Sequence, residues 1–224
     1  IEGNKGYDVR DVIAALVDAG QSTPAASANV AAAFGLDGLG IDLLNFDPIP
    51  AAAAGGPDGD AAVEVLAAGI QVQNAIVQIG ALLSGAGATD PHTAVVAALA
   101  SLVASGVPID LTDAAVAEAL IEAAAAEGGV APEAIDAVTG DAAQVLAATN
   151  AAVSEAAAYL AEKSAVEQSA PALLRLVTAI ASRFGVVVSE QAAAKAIPIV
   201  GAAGGATVNV LFMGHFQDMA RGHF

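Results

Sequence analysis

Alanine runs such as residues 51–54, 123–126 and 156–158 set the limits on what this chain can fold into. Alanine loses no side-chain entropy on entering a helix, which makes it the strongest helix former. Its small side chain also lets helices approach closely. Aromatic residues make up only 4% of the chain and tryptophan is absent, so a core must be assembled from Ala, Val, Leu and Ile. Hydrophobic residues account for 56%, the mean hydropathy is +0.66, and 224 residues suffice for one large or two small domains. The expected fold class is all-α: an alanine-rich multi-helix bundle with short loops.

Local signals divide the chain into about eight helices in an up-and-down arrangement. Asp8 caps a first helix running to Gly20, with Val9, Val12, Ile13, Leu16 and Val17 at helical spacing. Thr23 followed by Pro24 opens a second, which ends at Gly35. The stretch 35–59 is rich in Gly, Pro and Asp and reads as a loop with short helical turns. A long helix is expected from Asp60 to Ser84, another from Asp90-Pro91 to Ser105, and one capped by Thr112 ending near Gly128-Gly129. Pro132 starts a short helix ending near Gly140, and Asp141 begins a long one to Lys163. Residues 65–89 and 196–213 carry no formal charge. Gln71, Gln73, Asn74 and Gln78 in the first, and Pro198 with three glycines in the second, favour buried bundle helices over membrane spans.

Charge is uneven. The net charge is −17; residues 1–160 hold 20 acids against 2 bases, and residues 161–224 hold 4 acids against 5 bases. The expected division is an acidic helical bundle over 1–163 and a second helical segment over 164–224, with packing of the two as one unit as the alternative. An acidic surface offers nothing to neutralise phosphates, so nucleic acid is excluded as a partner, and the same charge opposes docking of the acidic part on anionic lipid. The absence of cysteine removes disulfides and thiolate sites. The opening Ile1-Glu2-Gly3-Asn4-Lys5-Gly6 lacks an apolar core, so no signal peptide is expected and the chain reads as an excised or processed segment.

No motif specifies a catalytic residue or a cofactor. Gly201, Gly204 and Gly205 form a glycine-rich stretch without the Lys-Ser/Thr of a phosphate-binding loop, and the expected role is close helix packing. Asp37, Asp42, Asp47, Asp58 and Asp60 crowd the 35–59 loop region and the start of the helix after it. Asp58 and Asp60 have part of the look of a calcium loop, against the plainer reading of caps and turns. In the tail, His215 and Asp218 lie three apart, with His223 two turns beyond His215. These three residues suit either a divalent metal or a hydrogen-bonded cluster at a helix end. No Gly-x-Ser-x-Gly elbow supports a Ser-His-Asp triad.

Two resemblances follow. Residues 182–193, 196–206 and the closing His215-Phe216-Gln217-Asp218-Met219-Ala220-Arg221-Gly222-His223-Phe224 resemble the C-terminal part of the EcsC family of bacterial proteins. That likeness covers residues 169–224 and implies helices and peripheral membrane association through this segment. The motifs Ala14-Ala15-Leu16-Val17-Asp18-Ala19-Gly20, residues 40–49 and residues 72–78 resemble alanine-rich helical spacers of large secreted bacterial adhesins and calcium-binding repeat proteins. That likeness implies no enzymatic role. The resulting expectation is a non-enzymatic structural or interaction module of a bacterial extracellular or surface protein, with a protein partner. The alternative is an EcsC-like, cytoplasmic, membrane-associated accessory protein with a His/Asp metal or hydrolytic site.

Overall fold

The computed structural model describes residues 7–54 and 56–163. Seven α-helices follow one another there: α1 (Val9–Asp18), α2 (Thr23–Ala33), α3 (Pro48–Ala54), α4 (Gly56–Gly85), α5 (Pro91–Ala104), α6 (Ala114–Glu127) and α7 (Asp136–Lys163). Single 3-10 turns lie at Asp37–Leu39 and Pro132–Ala134, and there is no strand among the described residues. The all-α class expected from the sequence is what the described residues adopt.

Side-chain caps fix where several helices begin. Asp8 and Asp11 form a capping box: Arg10 N–H donates to the Asp8 carboxylate at 2.7 Å, and Asp8 N–H donates to the Asp11 carboxylate at 2.8 Å. Two donors orphaned by the helix start are thereby satisfied. Ser22, not Thr23, occupies the cap of α2, so Pro24 falls one position deeper in the first turn. Asp113, not Thr112, caps α6: its carboxylate accepts from Ala115 N–H at 2.8 Å, while the Thr112 hydroxyl donates to Asp110 at 2.6 Å.

The region 35–59 is more helical than its Gly and Pro content suggests. Asp47 accepts from Ile49 N–H at 3.1 Å and starts α3, whose prolines fall in the first turn, where a missing N–H costs least. Helix α4 already begins at Gly56, ahead of the expected Asp60. Likewise α7 starts at Asp136 and passes straight through Gly140, where a break was expected.

Helices α4, α5, α6 and α7 close a ring in which each packs on its sequence neighbour and α7 returns to α4. Short connections between successive helices favour antiparallel neighbours. For α4 and α7 the direction is fixed by contacts: Val63 shares a cluster with Leu160, while Asn74 meets Asn150. Helix α1 lies on α5, α2 packs on α1, and α3 folds back on α4. The main core draws Ile13 and Leu16 from α1, Ile76, Ile79 and Leu83 from α4, and Leu99, Leu120 and Leu146 from the next three helices. Each such side chain contributes about 1.5–3 kcal/mol on leaving water.

Helices α4 and α7 have 30 and 28 residues, about twice the 14 of α5 and of α6. At 1.5 Å per residue they reach roughly 40–45 Å, against ~21 Å for α5 and α6. The surplus length of α4 and α7 pairs beyond the ring and buries a smaller cluster of Val63, Ala67, Val153, Ala156 and Leu160. Helix α4 is long and apolar enough to cross a membrane by length and composition, and 50% of its most apolar stretch is buried against other helices.

One glycine in α4 is required by a close approach. A Cβ at Gly80 would fall 2.7 Å from Cδ2 of His92, whose ring stacks on Tyr7 with centroids 5.7 Å apart. Gly140 in α7 has open space around its Cβ direction. Gly80→Leu should therefore lower stability by about 1–3 kcal/mol through overpacking. Gly140→Ala should raise it by up to ~1 kcal/mol, because the unfolded chain loses freedom and the helix gains a better former. Urea midpoints of the two variants should move in opposite directions.

Candidate functional site

The interior of the α4–α7 pair is polar at one level. Asn74 is 6% exposed and Asn150 0%, and the Asn74 side-chain amide donates to Asn150 Oδ1 at 3.0 Å. The Asn150 amide in turn donates to the Leu111 carbonyl at 3.2 Å, in the connection between α5 and α6. One turn toward the α4 N-terminus, Gln71 Nε2 donates to Ser154 Oγ at 2.7 Å and to the Asn150 carbonyl at 3.1 Å. The other buried polar side chains among the described residues, Thr139 and Thr149, donate to the carbonyls of Ile135 and Val145 one turn back in their own segment. Among the described residues each buried polar side chain thus makes at least one hydrogen bond, as its desolvation demands. The ladder is neutral, and its members hold one another.

Beside this ladder lies a cleft of about 330 Å³ between Phe34, Gly35 and Leu36, which follow α2, and helices α4 and α7. Its floor is Phe34, Leu36, Val63, Ala67 and Ala157, and Asp60 and Glu64 of α4 stand along it. Its width follows from composition, since alanines on α4 and α7 leave room that larger side chains would fill.

A second polar grouping surrounds the start of α1 and α5. Burial raises the Tyr7 phenol above its usual range, and the nearby charges of Asp11 and Asp90 push it the same way. Asp42 organises a turn instead: Asn45 Nδ2 donates to it at 2.7 Å and Leu44 N–H at 3.0 Å, which lowers its carboxyl below the ordinary range. Both bonds favour the ionised form, so the turn is supported above the ordinary Asp range and loses that support as pH falls through the lowered value.

Asp58 and Asp60 do not sit on a loop. Both are exposed on the first turns of α4. Residues two apart on a helix point about 200° from one another, so the pair diverges rather than converging on one ion. No group of three or more His, Asp or Glu side chains among the described residues could hold a metal ion. His215, Asp218 and His223, and the packing glycines Gly201, Gly204 and Gly205, lie outside the described residues. Sequence reasoning marked Gln71 and Asn74 as polar groups in need of partners, but their partners Asn150 and Ser154 and the cleft beside them were missed. Asn150 carried the one usable signal, a polar amide in an otherwise apolar stretch of helix. Compared with family models, curated proteins and solved structures, the chain matches none of them.

Asn150→Ala should destabilise the protein by about 1–3 kcal/mol, because the Asn74 amide and the Leu111 carbonyl are left buried without their partner. Ser154→Ala, at an exposed site, should cost less than about 1 kcal/mol; urea unfolding compares the two. Calcium and magnesium at equal ionic strength should give thermal midpoints within a few degrees of each other, since neither Asp58 nor Asp60 supplies a converging ligand set.

Proposed function

We propose that the chain is a non-enzymatic structural and interaction module of a bacterial extracellular or surface protein, and that it works by holding a helix against its α2–α4–α7 cleft. The observation that carries this reading is the cleft itself: an apolar floor of Phe34, Leu36 and Val63 beside the carboxylates of Asp60 and Glu64. A helix with an apolar stripe and basic flanks complements that surface in shape and charge. Two further points support it. The interior polar groups are engaged in tying helices together, which suits a rigid support. The resemblance of residues 14–20, 40–49 and 72–78 to spacer segments of secreted adhesins favours that compartment.

The test of the compartment uses antibodies against the bundle on cells of the organism that encodes it. Labelling of intact cells, or recovery of the protein from the medium, is expected. Labelling only after permeabilisation, with the protein pelleting alongside inner membranes, would contradict the proposal and favour the EcsC-like accessory protein instead.

A further inference from the structure

Residues 7–160 carry nineteen acids and a single lysine or arginine, Arg10, which already pairs with Asp8 at 3.1 Å. None of the nineteen is buried. Some stand where a helix favours them. Asp8 and Asp113 cap α1 and α6, and Asp11, Asp58 and Asp136 lie in first turns, where a negative charge meets the positive end of the helix dipole. Others stand where a helix disfavours them. Helix α1 ends on Asp18 and α6 on Glu127, both at the negative end of the dipole, and no helix from α1 to α6 has a base in its last turn. Glu118 and Glu122 lie four apart on the exposed face of α6, the spacing at which like charges repel. Asp18, Glu118, Glu122 and Glu127 are all exposed, and none makes a hydrogen bond or ion pair with another described residue.

The interior that opposes this repulsion is built largely from small side chains. Ala26, Ala75, Ala98, Ala117, Ala124 and Ala156 are fully buried, and each withdraws less apolar surface from water than a leucine would. Repulsion among charges spread over a surface reaches far in dilute salt, where the screening length is about 30 Å at 0.01 M, and hardly at all at 1 M, where it is about 3 Å. A surface rich in opposite-charge pairs responds the other way, because salt weakens the attractions that such pairs supply.

We infer that the bundle is a salt-dependent fold, suited to surroundings of high ionic strength: cations screening the acidic surface bring it to full stability, and dilution loosens it. Net charge far from zero destabilises a compact state through self-repulsion, and here neither bases nor favourable helix ends offset the four carboxylates on α1 and α6. Ionic strength therefore sets how firmly the bundle holds its long helices together. The inference stands independently of what the cleft binds.

Thermal unfolding of the full chain, followed by far-UV circular dichroism at neutral pH in sodium chloride from about 0.01 M to about 0.5 M, spans the range over which screening changes most. The midpoint is expected to rise by at least about 5 °C across that range. A variant combining Asp18→Asn, Glu118→Gln, Glu122→Gln and Glu127→Gln replaces exposed carboxylates by amides of the same shape. It should melt higher than the unsubstituted protein in dilute salt, and its midpoint should climb less as salt is added. A midpoint that stays level or falls with salt would overturn the inference. An equal rise in the two proteins would overturn it as well, because the effect of salt would then lie in the burial of apolar surface rather than in relief of the carboxylates.

Discussion

The side-chain hydrogen bond between Asn74 and Asn150 is the constraint on which the arrangement of the long helices depends. Helices faced largely with alanine present shallow, repetitive surfaces. Such surfaces can pack in more than one register with similar burial, because sliding by one turn replaces one methyl by another. A pair of buried amides breaks that degeneracy: in the native register each finds the other, and in a shifted one both lose their partner inside an apolar interior. The Asn150 bond to the Leu111 carbonyl extends the same restriction to the connection between α5 and α6. Gln71 repeats it one turn along through Ser154 and the Asn150 carbonyl. The large aliphatic side chains supply most of the burial; the amides select which of several comparable packings the burial stabilises.

Small side chains have a second consequence. They let α4 and α7 run close together past the four-helix ring, where α3 covers part of α4 and a separate small cluster forms around Val63 and Leu160. The glycine at position 80 shows the opposite use of small size, where the absent side chain admits the His92 ring and seats the Tyr7–His92 stack between α1 and α5. Acidic residues fill much of the remaining surface, and their mutual repulsion is held in check by the interior rather than by a matching set of surface cations.

Local chemistry was legible and long-range chemistry was not. Asp8 was readable as a helix start because a carboxylate before an apolar periodic run caps it, and Asp90 because Pro91 follows it at the first helical position. The shift to Asp113 by one residue reflects competition between adjacent capping side chains, settled at Thr112 by its bond to Asp110, whereas Ser22 takes the cap position of α2 without a side-chain bond. Helix α3 was obscured because Pro48, Pro50 and Gly56 read as breakers, although proline is tolerated in a first turn and the alanines behind it carry the helix. The passage of α7 through Gly140 was hidden for a related reason: a glycine's helical cost of about 1 kcal/mol is smaller than what packing on α4 and α6 supplies. The partnership of Asn74 with Asn150 joins residues distant in sequence, and no local pattern encodes it. The cleft is likewise a property of three helices together.

Native-state hydrogen exchange tests most directly whether the buried amides anchor the fold. If they do, the backbone amides of residues 72–79 in α4 and 146–153 in α7 exchange only through global unfolding, with an opening free energy equal to that from urea denaturation. Exchange of those amides through local openings about 2 kcal/mol or more below the global value, while α1 or α5 stays protected, would contradict the account and place the anchor of the fold elsewhere.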